Sequence, residues 1–222
     1  MAQRTVLTAF AVALGVTAML AGAGAWLYVR ARAKPSGLEH AIIGDVLLTY
    51  PAGYARNHAA PVERLDRLDL AATFPDFKPA GDVQDVPTER ALKDRAARTI
   101  FIAITPNDRS LDPTERPAKL YASMLDAIGY AQPSGLVLRR FQQGSPYEGE
   151  ELYMTPPEGR SFWARCQARE NATEATARIE EPCFTEMRMD GLNLTVRFAP
   201  AALAHWERLR DGVKALIAEI KR

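Results

Sequence analysis

The groups in this chain whose types admit chemistry are few. They are three histidines, two cysteines and the adjacent carboxylates Glu150-Glu151 and Glu180-Glu181. His40, His58 and His205 lie far apart, with none of the short spacings that let histidines share a metal ion. His205 sits beside an apolar stripe and reads as a surface or half-packed side chain. Neighbouring strand residues point to opposite faces, so neither glutamate pair forms a general acid/base couple by spacing; solvated turns are the plainer reading. The chain has no G-x-S-x-G, no phosphate loop and no G-x-G-x-x-G. No catalytic, cofactor-binding or metal-ligating residue is assigned, and no cofactor is expected.

The cysteines carry the strongest chemical signal. Asp190-Gly191 within "PCFTEMRMDGLNLTVRF" is a two-residue hairpin turn. It pairs Met189 with Leu192, Met187 with Leu194, Thr185 with Val196 and Cys183 with Phe198, all on one largely apolar face. Arg188, Asn193, Glu186, Thr195, Phe184 and Arg197 take the other face. In "GRSFWARCQ" the alternation groups Phe162, Ala164 and Cys166. Pairing this strand antiparallel to 182–189 with Cys166 opposite Cys183 also sets Phe162 opposite Met187. Both cysteines then lie on the apolar face, close enough to bond. The polar excursion between them closes a loop worth roughly 3 kcal/mol in chain entropy. Two reduced, buried cysteines are the alternative; the disulfide is favoured, and it places the domain in an oxidising compartment.

A second candidate is a surface. "LVLRRFQQGSPYEGEELYM" brings together Arg139, Arg140, Phe141 and Tyr147, a mixture suited to recognition, although an edge strand guarded by charges accounts for it equally. An enzyme of unrecognised type, with acids and Arg139 or Arg140 in a cleft, is the competing function. A deep pocket with converging polar groups would favour it. Asn171-Ala172-Thr173 matches a glycosylation sequon, which means little in a bacterial chain. "PTER" occurs at 87–90 and 113–116 and reads as two helix starts rather than a repeat.

The elements that must position these residues follow from period and punctuation. "GDVLLTYPAGYAR" gives a strand stopped by Pro51 and Gly53, and the end of "ERLDRLDLAATFPDF" gives another. Residues 79–97 read as a loop and a short helix. "RTIFIAITP" is a strand with Ile100, Ile102 and Ile104 on one side. "LDPTERPAKLYASMLDAIG" reads as a helix with Asp112 as cap, Pro113 in its first turn, Glu115 completing a capping box and Leu120, Met124 and Ile128 facing inward. Pro117 is its awkward residue. "GLVLRRFQQ", "GEELYMTPP" and "GRSFWARCQ" are three more strands. A closing helix from about Ala201 presents Leu203, Trp206, Leu209, Val213, Leu216, Ile217 and Ile220 along one face. Strands joined by short turns pair antiparallel, so the class is α+β, with one mainly antiparallel sheet covered by the amphipathic C-terminal helix.

The N-terminus decides location. Thr5 to Val29 is a run of 25 uncharged residues, long enough to cross a hydrocarbon core. "MAQR" and Ala23-Gly24-Ala25 would suit a cleaved signal peptide. The length, with Trp26, Tyr28, Arg30, Arg32 and Lys34 as an interfacial anchor, favours a retained transmembrane helix in contact with the lipid bilayer. Ala13, Thr17, Ala21 and Ala25 form a row that could admit a second helix, hence a membrane-protein partner. Charge bias across the span decides little. The disulfide orients the chain, as a single-pass protein of the bacterial inner membrane with a periplasmic C-terminal domain. The expected layout is a tail at 1–4, an anchor at 5–29, a linker at 30–41 and a globular domain at 42–222. Setting aside Arg4, Arg30, Arg32 and Lys34 leaves 24 basic against 27 acidic residues, about −3, so nothing favours nucleic acid as a partner.

The opening strand into Tyr50-Pro51, the central antiparallel run and the last strand feeding "LTVRFAPAALAHWERLRDGVKALI" resemble the PsbP family of photosystem II extrinsic proteins over most of residues 42–221. The resemblance implies a sheet sandwiched by helices and an accessory role beside a membrane complex, and it carries no site residue over. The expected function is a membrane-tethered periplasmic interaction module of an envelope complex.

Overall fold

The computed structural model describes residues 37–56, 63–81, 88–168 and 182–221. The predicted anchor with its row of small residues, His58, the sequon and Glu180-Glu181 lie outside them. No helix among the described residues is long and apolar enough to cross a membrane.

The domain opens with a hairpin of β1 (Leu38–Ile43) and β2 (Val46–Pro51), and β3 (Glu63–Leu65) adds to β1 in parallel, in the order β2-β1-β3. β1 begins inside the stretch that the sequence marks as linker. Its alternation is hidden because Glu39 shares a side with the buried Ala41 and Ile43. The polar His40 on the other side is satisfied across the hairpin, where its Nδ1 lies 3.0 Å from Thr49 Oγ1.

The main sheet has nine strands. In chain order they are β4 (Leu68–Thr73), β5 (Lys78–Pro79), β6 (Thr99–Pro106), β7 (Tyr130–Ala131), β8 (Val137–Arg140), β9 (Glu150–Met154), β10 (Trp163–Gln167), β11 (Cys183–Met189) and β12 (Leu192–Phe198). Their spatial order is β5-β4-β6-β12-β11-β10-β9-β8-β7, antiparallel throughout. The α+β class and the large antiparallel sheet with its C-terminal helix are as expected. Helix α1 (Glu89–Arg98) starts at the first "PTER", where Thr88 Oγ1 accepts from the Ala91 amide at 3.2 Å.

The β11–β12 hairpin has the register that its turn dictates, from Met189↔Leu192 to Cys183↔Phe198. Asp190 and Gly191 both have positive φ, 53° and 82°, the twist that a two-residue hairpin needs. All of its apolar-face residues except Met189 are buried. Arg165 pairs with Phe184, which sets Cys166 against Cys183 as the alternation requires. The two are bonded, with Cα atoms 4.2 Å apart.

Helix α2 (Trp206–Ile220) follows a 3₁₀ stretch, Pro200–His205. Leu203, Trp206, Leu209, Val213, Leu216, Ile217 and Ile220 are all buried. They share one core with Ile100, Ile102 and Ile104 of β6, Leu194 and Val196 of β12, and Leu48 and Tyr50 of β2. This core lies on the inner side of the large sheet.

The helix expected over 111–129 does not form. Asp112 does cap a first turn, accepting from the Thr114 amide at 2.9 Å. Only short 3₁₀ and π turns follow, at Pro113–Glu115, Pro117–Tyr121 and Ala122–Met124, and Leu125 is already extended. Pro117 has no N–H to offer a continuing α-helix. The inward stripe accordingly shifts to Pro113, Pro117, Tyr121 and Leu125, leaving Leu120 and Ile128 exposed. This irregular segment lies on the outer side of β9, β10 and β11.

Candidate functional site

On the outer side of the sheet, register builds an arrangement that no single strand contains. Ala71 pairs with Phe101, Phe101 with Arg197, Arg197 with Phe184, Phe184 with Arg165, Arg165 with Leu152 and Leu152 with Arg139. One row therefore crosses β4, β6, β12, β11, β10, β9 and β8, alternating arginine with phenylalanine at its centre.

Half of the row is covered. The Arg165 guanidinium lies 4.2 Å from the Tyr147 ring centroid, 4.7 Å from that of Phe184 and 5.6 Å from that of Tyr121. Its Nε donates to Glu150 Oε2 at 2.5 Å. Tyr121 meets Phe141, Tyr147 and Trp163 edge-on at 5.6, 5.3 and 5.6 Å. Trp163 Nε1 donates to the Pro113 carbonyl at 2.7 Å, tying the irregular segment to β10. Burial raises the Tyr121 hydroxyl above its ordinary pKa, against the pull of Arg165. Arg116 pairs with Glu186 of β11. Arg188 bonds to Asn193 Oδ1 and to Ser110, and Asn193 Nδ2 donates to Asp108 at 2.9 Å. The hydrogen bonds of Ser110 and Asn193 lower the Asp108 carboxyl to about 2.

The other half is open. Arg56 sits over the Phe101 ring at 4.8 Å, Phe101 is 36% exposed, and Arg197 is exposed. Half-buried Ala71, Ala103, Thr105 and Thr195 form a floor of small side chains beside them. The nearby acids on this face are engaged elsewhere, Asp69 with Arg67 at 2.7 Å and Glu186 with Arg116. Among the described residues Arg56 and Arg197 have no carboxylate partner. Arginine and aromatic side chains, phenylalanine included, are enriched at protein interfaces.

The predicted surface does not form one face. Arg139 and Phe141 point outward, whereas Arg140 points inward toward Glu151, 3.7 Å away. Phe141 is buried in the aromatic cluster, and Tyr147 is half-buried against Arg165. Arg139 donates to the Asp126 carbonyl. Glu150 and Glu151 lie in β9 rather than in a turn, and each faces its own arginine. A cleft of about 240 Å³ between α2, β11 and residues 159–163 is lined by Arg160, Arg188, Arg210, Lys214 and Glu186, but not by Arg139 or Arg140. Among the described residues no group of histidine, cysteine and carboxylate side chains could hold a metal ion. Sequence reasoning missed Phe101, Arg197, Phe184, Arg165 and Arg56. One signal was available, since Phe184 is the lone aromatic on the polar face of its hairpin.

No protein-family model matches the chain, and no curated protein matches it. It is similar in structure to an immunity protein of the Stenotrophomonas maltophilia type IV secretion system, with a TM-score of 0.61 at 15% identity, over 85% of this chain and 94% of that one. A weaker likeness, TM-score 0.49 at 11% identity over 84% of this chain and 95% of that one, is to the iron-regulated outer membrane lipoprotein FrpD of Neisseria meningitidis. The fold is thus that of the immunity protein. Neither structure is a PsbP-like protein, which corrects the resemblance drawn from the order of elements. That order was too permissive. It left open which strands pair, and the closing β11–β12 hairpin proves to lie in the middle of the sheet.

Proposed function

We propose that this protein is a non-catalytic binding module, tethered to the bacterial inner membrane by residues 5–29, whose periplasmic domain holds a protein partner on the open half of its outer sheet face. The observation that carries this reading is the row Phe101–Arg197–Phe184–Arg165 with Arg56 over Phe101. The Cys166–Cys183 bond supports an oxidising compartment, and the uncharged run supports an anchor. The immunity-protein fold favours a second, narrower reading, in which the partner is a secreted effector that this chain masks.

A photo-crosslinking side chain placed at Phe101 of the full chain, expressed in its native envelope, tests the site. Leu92, exposed on α1, serves as the control position. We expect a discrete protein adduct at 101, absent at 92 and lost with Arg197→Glu, in membranes that keep the chain through a carbonate wash. Matching adducts at both positions, or none, would refute the binding face. Release into the wash would refute the anchor. The effector reading requires the adduct to contain a protein toxic to cells that lack this chain.

A further inference from the structure

We infer that the segment docking on the open half is acidic, an extended stretch of a partner protein carrying carboxylates on either side of an apolar residue. This rests on the binding face proposed above and adds the chemistry of what binds there.

Phe101 has an arginine on each side. Arg56 covers its ring from the edge of the sheet, and Arg197 is its direct cross-strand neighbour on β12. Four other arginines on the outer face meet acids: Arg165 meets Glu150, Arg116 meets Glu186, Arg67 meets Asp69, and Arg188 lies within 4 Å of Asp108 and Asp112; a fifth, Arg139, is held by the Asp126 carbonyl. Arg56 and Arg197 have no carboxylate partner among the described residues, and both border the exposed ring of Phe101. The pattern stands out further because the chain beyond residue 34 is net acidic by about three charges. Two unmatched guanidinium groups repel each other, and nearby carboxylates relieve that repulsion while accepting forked hydrogen bonds. The floor of Ala71, Ala103 and Thr195 leaves room for a backbone to approach. Phe101 supplies the apolar contact that keeps the site from being a purely diffuse cation.

The probe is a fluorescein-labelled nine-residue peptide, Glu-Ser-Val-Ser-Glu-Ser-Val-Ser-Glu, which when extended sets glutamates on either side of each valine along one face, titrated against the full chain in detergent. Its counterpart has lysine for glutamate. Arg197→Glu should weaken glutamate-peptide binding at least tenfold, Phe101→Ala severalfold, and raised salt should weaken it progressively. Arg67→Glu is the control, since Arg67 is already held by Asp69 at the same end of the sheet. Circular dichroism of each variant reports whether it folds. Equal binding of the lysine peptide, or equal loss in Arg67→Glu and Arg197→Glu, would overturn the inference. A crosslinked partner at position 101 that the glutamate peptide fails to displace would also overturn it, while leaving the binding face itself standing.

Discussion

Gly212 lies in the middle of α2, where glycine costs about 1 kcal/mol relative to alanine. In an exposed helix Gly→Ala would therefore stabilise by about that amount. Here a Cβ on residue 212 would fall 2.0 Å from Cε2 and 2.2 Å from Cζ of Phe77. Carbon atoms in ordinary contact sit about 3.5 Å apart, so the ring would have to retreat by about 1.5 Å. Phe77 has little freedom to do so. Its amide donates to the Thr73 carbonyl, its own carbonyl accepts from the Tyr54 hydroxyl at 2.7 Å, and its ring meets Phe74 edge-on at 6.0 Å. Overpacking of this kind costs about 3 kcal/mol at the upper end of the usual range. Set against a gain of about 1 kcal/mol in propensity, Gly212→Ala should destabilise by about 2 kcal/mol. In a Phe77→Ala background the obstruction is gone and the same substitution should stabilise by about 1 kcal/mol, a coupling of about 3 kcal/mol. Urea unfolding of the four proteins of this cycle, followed by far-UV circular dichroism, measures it. A single Gly212→Ala variant as stable as its parent would refute the claim that Phe77 dictates the glycine.

Replacing Cys166 or Cys183 by serine should lower stability by about 3 kcal/mol, the chain entropy of a loop spanning 17 positions; alkylation and mass spectrometry of the parent should find both thiols blocked. Arg165→Met should cost about 1–3 kcal/mol, because Glu150 loses its partner in a site where Arg165 is only 15% exposed; Glu150→Gln in the same background should recover part of the loss. The Asp108 carboxyl is depressed, so its contribution to stability is present above pH 4 and is lost as pH falls toward 2. Asp108→Asn should flatten that acid limb and leave stability above pH 5 nearly unchanged in its slope with pH.

What could be read in the chain is what local chemistry decides. Asp190-Gly191 sets both the turn and its register, so eight side chains are assigned to a face before any tertiary contact is considered, and the cysteine pairing follows by alternation. The C-terminal stripe is legible because seven apolar residues keep helical spacing over five turns. Where the reading fails, a distant partner decides. Residues 113–125 carry valid capping signals for one turn. Tyr121 then turns inward because Trp163 and Phe141 lie beneath it, and Pro117 removes the competing helix. β1 hides because Glu39 breaks its apolar face. The arginine–aromatic row is invisible for a stronger reason. Phe101 and Arg197 are far apart in the chain, and the β6–β12 pairing that joins them has no turn to announce it.

The open half of the outer face also gains weight from what the rest of the sheet excludes. α2 and the small sheet fill the inner side, so a partner there would have to displace Trp206, Leu209 and Ile217 from a shared core. Both lateral edges end on two-residue strands. β5 is Lys78–Pro79, whose proline has no N–H to donate, and β7 is Tyr130–Ala131, too short to template an added strand. Residues 113–125 cover the outer side of β9 to β11 and are locked there by Trp163, Arg116 and Arg165. Each device that protects this sheet from indiscriminate pairing leaves Phe101, Arg197, Arg56 and the small floor beside them accessible. Apolar burial there would have been simple to achieve, with alanine and threonine already at 71, 103 and 195. Two arginines around an exposed phenylalanine instead retain a surface that is costly to desolvate without an acidic counterpart and favourable once one is present.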